Sequence, residues 1–544
     1  MNVSTQTAQL VVERCLAYGA KHVVIAPGSR SAPLSWAFAQ AEKAGAIKIH
    51  VRIDERDAGF LALGLAKASR APVPVVVTSG SAVANLFPAM VEAYESAIPV
   101  VVLSADRPSA ARGTRAPQTI NQSGLFGTFA NASLDIEVGK ANASELDQVL
   151  DVATATRQGP IQVNVQFDLP LMPDVADLFW APNFTKTARP QTSAARTDIS
   201  LPETGIVIVG DTCDSAAIAQ VEELSGNLGW PIIWEPTGNA HSLTNALSHG
   251  VLVIQSKQLP VPEAVITIGA VGLSRAVLNL LKQTPRHIAI QTLTDGPETP
   301  NPVRTASQVL DYIPTSQARP NAAWLTLWQN ADEVAHEIVE RELAPQTLSG
   351  LSAAVEVWQH ASKDENLFVA ASWAVRHLEA YAGNRAGLKV FGNRGANGID
   401  GLISTAYGIA SAESKRTYLL IGDIAFLHDL GGLNIPESEN QPPLTIVVLD
   451  NDGSGIFSQL EQGATEYQEH YEKVFGTPHG KDLWVIAEAL GIPAKRVTTN
   501  TELTFALKNS ANFPGLNVIV CTTGSREVEF DLIKSIATKV GESL

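Results

Sequence analysis

Two stretches near opposite ends of this chain repeat each other in one register, and that repetition limits the folds open to it. Residues 61–69, LALGLAKAS, resemble residues 405–413, TAYGIASAE, with Gly64 over Gly408 and Ala66 over Ala410. The apolar run VPVVVTSG then matches TYLLIGD, and IPVVVLSAD matches LTIVVLD. A single offset of 344 residues (408 − 64, 423 − 79, 450 − 106) serves all three pairs. Chance similarity drifts, so an offset held through a helix and two strands implies a duplicated α/β domain. The copies differ in chemistry. The first carries Glu55 in IDERDAG; the second carries Gly422-Asp423 and Asp450-Asn451-Asp452-Gly453 at the ends of apolar runs. An acid on one copy and an oxygen-rich clamp on the other suggest one site shared between two domains.

At 544 residues the chain exceeds what one core supports, and typical domain sizes favour about three domains. The runs HVVIA, VPVVVTS, IPVVVLS and IQVNV are rich in valine and isoleucine, and the first three lack polar alternation, as strands covered on both faces do. Helical segments around 57–69 and 84–96 separate them, the order of a doubly wound parallel sheet. This first domain is expected over residues 1–180. Residues 181–204 are polar, contain three prolines and read as a linker. GIVIVGD, PIIWEP, AVITIGA and HIAIQT predict a middle α/β domain over 205–315. A helix over 321–343 leads to a third domain, 350–544, with LFVAAS, LKVFGN, TYLLIG, LTIVVL and LNVIVC as strands.

Charge and cysteine usage narrow the function classes. A net charge of −16 argues against a nucleic-acid or anionic-membrane partner but leaves room for a local basic pocket. Cys15, Cys213 and Cys521 are isolated thiols, with no zinc-type spacing. The N-terminus lacks the order of a signal peptide, and no apolar run spans a bilayer. A cytoplasmic protein is expected.

Asp423 and the Asp450–Gly453 segment each follow a buried-strand run, where open α/β sheets bind ligands. Magnesium takes carboxylate, carbonyl, water and phosphate oxygens. The Asp423 carboxylate, the Asn451 side-chain oxygen and the Gly453 carbonyl can supply three such ligands.

A Gly-Asp followed 28 residues later (451 − 423) by Asn resembles the diphosphate signature of thiamine-diphosphate enzymes. The segment IDERDAGFLALGLAKAS resembles the one whose glutamate meets the cofactor's aminopyrimidine. The resemblance implies three doubly wound parallel-sheet domains of thiamine-diphosphate-enzyme type. Residues 1–180 would be the pyrimidine-binding domain and 350–544 the diphosphate-binding domain. Within the family, APGSRSAPL, SADRP, APQTINQ, FGNRGANGIDGL, GDIAFLHDL and NDGSGIF resemble the menaquinone-pathway branch. That branch joins 2-oxoglutarate to isochorismate with loss of CO2.

Carried across by motif, thiamine diphosphate would meet Glu55, Ile399, Gly422, Asp423, Ile424, Asn451 and Gly453. Asp423, Asn451 and Gly453 would hold Mg2+ or Mn2+. The substrates would meet Ser29, Arg30, Arg107, Gln118, Arg275, Ser372, Arg376, Arg394, Ile456 and Phe457. Glu55, Gln118 and Arg394 are expected to serve the chemistry itself, with Glu55 desolvated. Guanidinium pairs carboxylate bidentately without losing its charge, which suits two dicarboxylate substrates. The family also implies a homo-oligomer, with a dimer as the minimum active unit and a tetramer allowed. Two rivals stay open: another thiamine-diphosphate carboligase or 2-oxoacid decarboxylase, and a homologue that keeps the fold without turnover.

Overall fold

The computed structural model describes residues 1–187, 195–212, 215–292, 295–344 and 347–544. Cys213 and part of the expected linker lie outside these. The described strands form three sheets in which every ladder is parallel. In the first sheet the strands are β1 His22–Ile25, β2 Lys48–Val51, β3 Val73–Val77, β4 Val100–Asp106, β5 Ala132–Ile136 and β6 Ile161–Gln166. Their spatial order is β2-β1-β3-β4-β6-β5. The second sheet comprises β7 Gly205–Val209, β8 Ile232–Trp234, β9 Ala264–Ile268, β10 Arg286–Ile290 and β11 Ala306–Leu310. Its order is β11-β10-β9-β7-β8. The third holds β12 Asn366–Val369, β13 Lys389–Phe391, β14 Thr417–Gly422, β15 Leu444–Asp450, β16 Ala494–Val497 and β17 Leu516–Thr522. Its order, β13-β12-β14-β15-β17-β16, repeats that of the first sheet strand for strand. The chain is α/β throughout.

The duplication holds at residue level. β4 runs from 100 to 106 and β15 from 444 to 450, so both ends keep the 344-residue offset. β3, β4 and β6 are buried along their whole length, as valine-rich strands covered on both faces must be. The helix expected around 84–96 is two segments, Ser81–Ala84 and Phe87–Glu95. Pro88 explains the break, since it has no N–H for the preceding turn and sits at the start of the second segment.

Two compact units result. One comprises Met1–Thr192, Gly395–Ser414 and Asp429–Pro442; the other comprises Ser193–Arg394, Lys415–His428 and Pro443–Leu544. The first unit holds the first sheet and the second unit holds the other two. The helix Leu402–Glu413 joins β13 to β14 in sequence yet packs in the first unit, along its equivalent, Glu55–Ser69.

Topology places the candidate residues. In the first sheet the chain runs outward from β1 to β2 and in the opposite direction from β3, which makes a switch point between β1 and β3. Ser29 and Arg30 follow β1, Glu55 follows β2 and Arg107 follows β4. In the third sheet, Ser372 and Arg376 follow β12, Asp423 follows β14 and Asn451 follows β15. Arg275 follows β9 of the middle sheet. All lie beyond carboxyl ends of parallel strands, where doubly wound sheets bind ligands.

Candidate active site

In the first unit, Glu55 opens its helix just after the N-cap Asp54. It is half-buried, and its Oε2 accepts from Asn85 Nδ2 at 3.3 Å. The full desolvation expected for this acid is therefore not reached within the single chain. Ile399 lies in the segment after Arg394, which two buried carboxylates secure. Glu92, 2% exposed, accepts from Gly395 N at 3.0 Å and Ala396 N at 2.7 Å. Asp429, fully buried, accepts from Gly401 N at 2.9 Å and Ile403 N at 2.7 Å.

The same unit brings Arg30, Arg107 and Gln118 into one region. Arg30 Nη1 donates to Phe167 O at 2.9 Å and Arg107 Nε to Pro117 O at 2.9 Å. Burial, and then the Arg107 charge, lowers the proton affinity of Arg30. Two guanidinium groups that repel each other and whose hydrogen bonds go to neutral carbonyls suit an anion, although the Asp168 and Asp106 charges oppose part of that effect at Arg30. Gln118, in left-handed backbone at φ 59°, is pinned by Ser79: Ser79 Oγ donates to Gln118 O at 2.8 Å and Gln118 Nε2 to Ser79 O at 3.2 Å. Ser29 is exposed one residue before Arg30.

The second unit gathers Arg275, Arg376 and Arg394 around two glutamates. Arg275 and Arg376 line, with Ile456, a cavity of about 520 Å3. Arg376 Nη1 donates to Ser372 O at 2.9 Å, while Ser372 itself adopts φ 69° at the helix start. Phe457 lies against Phe475, ring centroids 5.7 Å apart, and does not line the cavity. Glu235 and Glu379, 2% and 5% exposed, were not legible as site residues in the sequence. Glu235 Oε1 accepts from Gly272 N and Leu273 N, both at 2.8 Å, and so fixes the turn that delivers Arg275. Burial pushes both carboxyls up, most strongly Glu379, which also faces the Glu235 charge; the Arg394 charge opposes the shift in both.

At the ends of β14 and β15 the second unit forms an oxygen-rich clamp. Asp423 is buried and accepts from Ile424 N at 2.6 Å, Gly453 N at 2.8 Å and Asn451 N at 3.3 Å. Gly422 precedes it at the end of β14. Gly453 has φ 137°, and a Cβ there would stand 2.2 Å from Gly476 O, so only glycine fits. The Asn451 Oδ1 atom is buried with no hydrogen-bond partner among the described residues. An orphaned acceptor beside a buried carboxylate fits a hard cation, so these residues suit the metal that the resemblance implies. His479 is a further member that the sequence did not signal. Its Nε2 lies 3.4 Å from Asp423 Oδ2 and 3.5 Å from Asp450 Oδ1. The Asp423 carboxylate facing it raises its proton affinity.

Comparison with known proteins agrees with this arrangement. Residues 5–125 match the model for the thiamine pyrophosphate enzyme N-terminal TPP binding domain, and residues 370–521 match the C-terminal TPP binding domain. A 2-succinyl-5-enolpyruvyl-6-hydroxy-3-cyclohexene-1-carboxylate synthase from Thermobifida fusca is 39% identical over 93% of this chain and 94% of its own. Proteins of the same name from Paenarthrobacter aurescens and Nocardia farcinica are each 38% identical. They cover 99% and 96% of this chain, and 98% and 97% of their own. Identity at that level along nearly the whole length of each, with both TPP binding domains present, places the chain among the thiamine pyrophosphate enzymes, in the 2-succinyl-5-enolpyruvyl-6-hydroxy-3-cyclohexene-1-carboxylate synthase family.

Proposed function

We propose that this protein is a thiamine-diphosphate-dependent transferase that decarboxylates 2-oxoglutarate and adds the remaining four-carbon unit to isochorismate. The products are CO2 and 2-succinyl-5-enolpyruvyl-6-hydroxy-3-cyclohexene-1-carboxylate, an intermediate on the way to menaquinone. The observation that carries this reading is the set of five arginines at strand ends in an otherwise acidic chain. Both substrates are dicarboxylates, and a guanidinium fork is the side chain best matched to a carboxylate. A carboligase or decarboxylase acting on monocarboxylates has no use for that many.

Thiamine diphosphate, when bound, would supply a nucleophilic carbon and an electron sink for the decarboxylation. Asp423, Asn451 and Gly453 would hold Mg2+ or Mn2+ with the cofactor's diphosphate, and Gly422 and Ile424 would contact that group. Glu55 would hydrogen-bond the pyrimidine and hold its proton, and Ile399 would pack on the cofactor. Arg30, Arg107, Arg275, Arg376 and Arg394 orient substrate carboxylates, and Ser29 and Ser372 add hydroxyls. Gln118 serves the acceptor or its proton, and Ile456 excludes water. The domains are 1–180, 205–315 and 350–544. The enzyme is a cytoplasmic homo-oligomer, at least a dimer, with no nucleic-acid or membrane partner. Among the described residues no helix is long and apolar enough to cross a membrane.

The test is CO2 release from 2-oxoglutarate with thiamine diphosphate and Mg2+, with and without isochorismate. Strong stimulation by isochorismate with consumption of both supports the reading. Release indifferent to isochorismate removes the acceptor, and no release removes the donor as well.

A further inference from the structure

The arginines of the first unit divide by the company they keep. Arg30 and Arg107 donate to backbone carbonyls and form no ion pair among the described residues. Arg112 differs. Its Nη1 meets Asp135 Oδ2 at 2.6 Å, and its Nη2 meets Asp135 Oδ1 at 2.9 Å and Asp106 Oδ2 at 2.6 Å. Its charge is thus spent on two carboxylates and is not available to a substrate.

Those carboxylates sit on the sheet. Asp106 ends β4 and is fully buried; Asp135 is on β5. Asn164, from β6 between them, donates to Asp106 Oδ2 at 3.0 Å and Asp135 Oδ1 at 2.8 Å. Gln122 Nε2 in turn donates to Asn164 Oδ1 at 2.8 Å and to Ala105 O at 3.0 Å, while its Oε1 accepts from Gly80 N at 3.1 Å. Hydrogen bonds from Arg112, Asn164 and Gln166 outweigh burial and keep the Asp135 carboxyl below its usual range.

The loop between these anchors carries both Arg107 and Gln118. It contains one short 3-10 turn, Ser109–Ala111, and two non-glycine residues in left-handed backbone, Arg115 at φ 61° and Gln118 at φ 59°. Such a loop does not hold its own shape. Ser79 pins its far end at Gln118, and Asp106 Oδ1 accepts from Arg107 N at 2.7 Å at the near end. Between them Ser109 N donates to Gln166 Oε1 at 2.9 Å, and Arg112 is the loop's charged tie to the sheet, through Asp106 and Asp135.

We infer that Arg112 is a positioning residue: its bidentate fork to Asp135 and Asp106 holds the 107–118 loop so that Arg107 and Gln118 meet a substrate carboxylate in one geometry. This rests on the functional reading above and names a residue that acts through Arg107 without touching substrate.

The test compares Arg112→Ala, Arg112→Lys and Asp135→Asn in the full-length enzyme, each also combined with Arg107→Ala. Arg112→Ala is expected to raise the KM of the substrate affected by Arg107→Ala at least tenfold, with kcat changed less than threefold. In the Arg107→Ala background the same change adds less than twofold. Arg112→Lys, which keeps charge but loses the fork, recovers only part, and millimolar guanidinium restores Arg112→Ala. Trypsin cleaves after exposed Arg115 about tenfold faster in Arg112→Ala than in wild type. Asp135→Asn keeps Arg112 and half its fork, so it reports on the tie even if Arg112→Ala fails to fold. Equal effects of Arg112→Ala in both backgrounds, or a loss of kcat with KM and cleavage unchanged, overturn the inference. Those outcomes with normal wild-type turnover sink the inference alone; a wild type that turns over neither substrate sinks the functional reading and this one with it.

Discussion

Gly64 and Gly408 occupy equivalent positions on two packed helices, and each lies against the backbone of the other helix. A Cβ on Gly64 would stand 2.1 Å from Thr405 O; one on Gly408 would stand 2.6 Å from Leu61 O. Leu61 and Thr405 are themselves equivalent at the 344-residue offset, so the contact is reciprocal, as a pseudo-twofold crossing of duplicated helices requires. The first repeat noticed in the sequence is therefore a packing constraint as well as a trace of ancestry. Gly64→Ala and Gly408→Ala should each destabilise by about 3 kcal/mol or more, because the obstructing atom is backbone and cannot turn aside. Gly226, on the exposed face of Ser215–Leu228 with nothing near a Cβ, is the control. Gly226→Ala should stabilise by about 0.5–1 kcal/mol. Denaturant midpoints of the three variants check this; a tolerated Gly64→Ala would contradict the crossing.

A second consequence of that crossing concerns pH. Asp57, two residues after Glu55, is 1% exposed, with the Ser404 hydroxyl beside its carboxylate. Burial, and then the Asp54 charge, raises its pKa to about 6; Asp429, also buried, is raised to about 7 by burial and then by Asp57. Both folded values exceed the ordinary 3.8, so the folded state binds protons more tightly than the unfolded one. The stability this gives is complete below about pH 4 and is lost as pH rises through 6 to 7. Asp57→Asn removes the charge, so it should flatten that decline and stabilise the protein above pH 7, by up to about 3 kcal/mol. Unfolding midpoints of wild type and variant between pH 4 and 8 decide; parallel curves would exclude Asp57 as the source.

What the sequence disclosed and withheld has a common physical cause. The interior strands β1, β3, β4, β6, β7, β9, β10, β12, β14, β15 and β17 all stood out as runs rich in apolar residues, because burial on both faces leaves few polar ones; β6, with Gln162, Asn164 and Gln166 buried, is the most polar of them. The strands that did not stand out, β2, β5, β11 and β16, are all sheet edges with partly exposed patterns. Site residues at strand ends were legible because motif and topology coincide there. The residues that support them were not: Glu92 reaches Gly395 across 303 residues and Asp429 reaches Gly401 across 28, and only the fold brings them together. His479 and the buried pair Glu235 and Glu379 were hidden for the same reason. Arg107 and Asn451 follow equivalent strand ends of the two copies, a guanidinium after one and an amide after the other.

The thiols give a simple check on burial. Cys15 and Cys521 are free and buried, and burial pushes Cys15 up to about 12 and Cys521 higher still. The thiolate is the reactive form, so neither should react with a disulfide reagent at pH 8 in the native protein, and both should react once it is unfolded. Peptide mapping after brief labelling distinguishes them; rapid native modification of Cys15 would show that its helix opens.

The orphaned Asn451 Oδ1 makes a prediction that needs no turnover. If it completes a cation site with Asp423, then Asn451→Ala removes one oxygen ligand and leaves the fold intact. Mn2+ affinity should fall at least tenfold by calorimetry or spin resonance, and thiamine diphosphate binding should weaken with it while the thermal midpoint barely moves. Chelator should reduce cofactor binding in wild type far more than in the variant. Unchanged Mn2+ affinity would take Asn451 out of the ligand set.

Glu55 is the residue on which the proposed chemistry turns, and its variant separates binding from catalysis. Glutamine keeps the size of the side chain and a carbonyl oxygen but cannot exchange a carboxyl proton with the pyrimidine. Glu55→Gln should lower kcat by about 100- to 10,000-fold, the range a positioned acid or base contributes. Its melting point should match wild type, since Glu55 is half-buried and its one described hydrogen bond, from Asn85, can be kept by the amide oxygen. Cofactor affinity should fall far less than turnover, which marks the lost interaction as one used in the reaction more than in binding. Wild-type turnover in Glu55→Gln would remove the acid from the mechanism, and a collapse of cofactor affinity alone would recast it as an anchor.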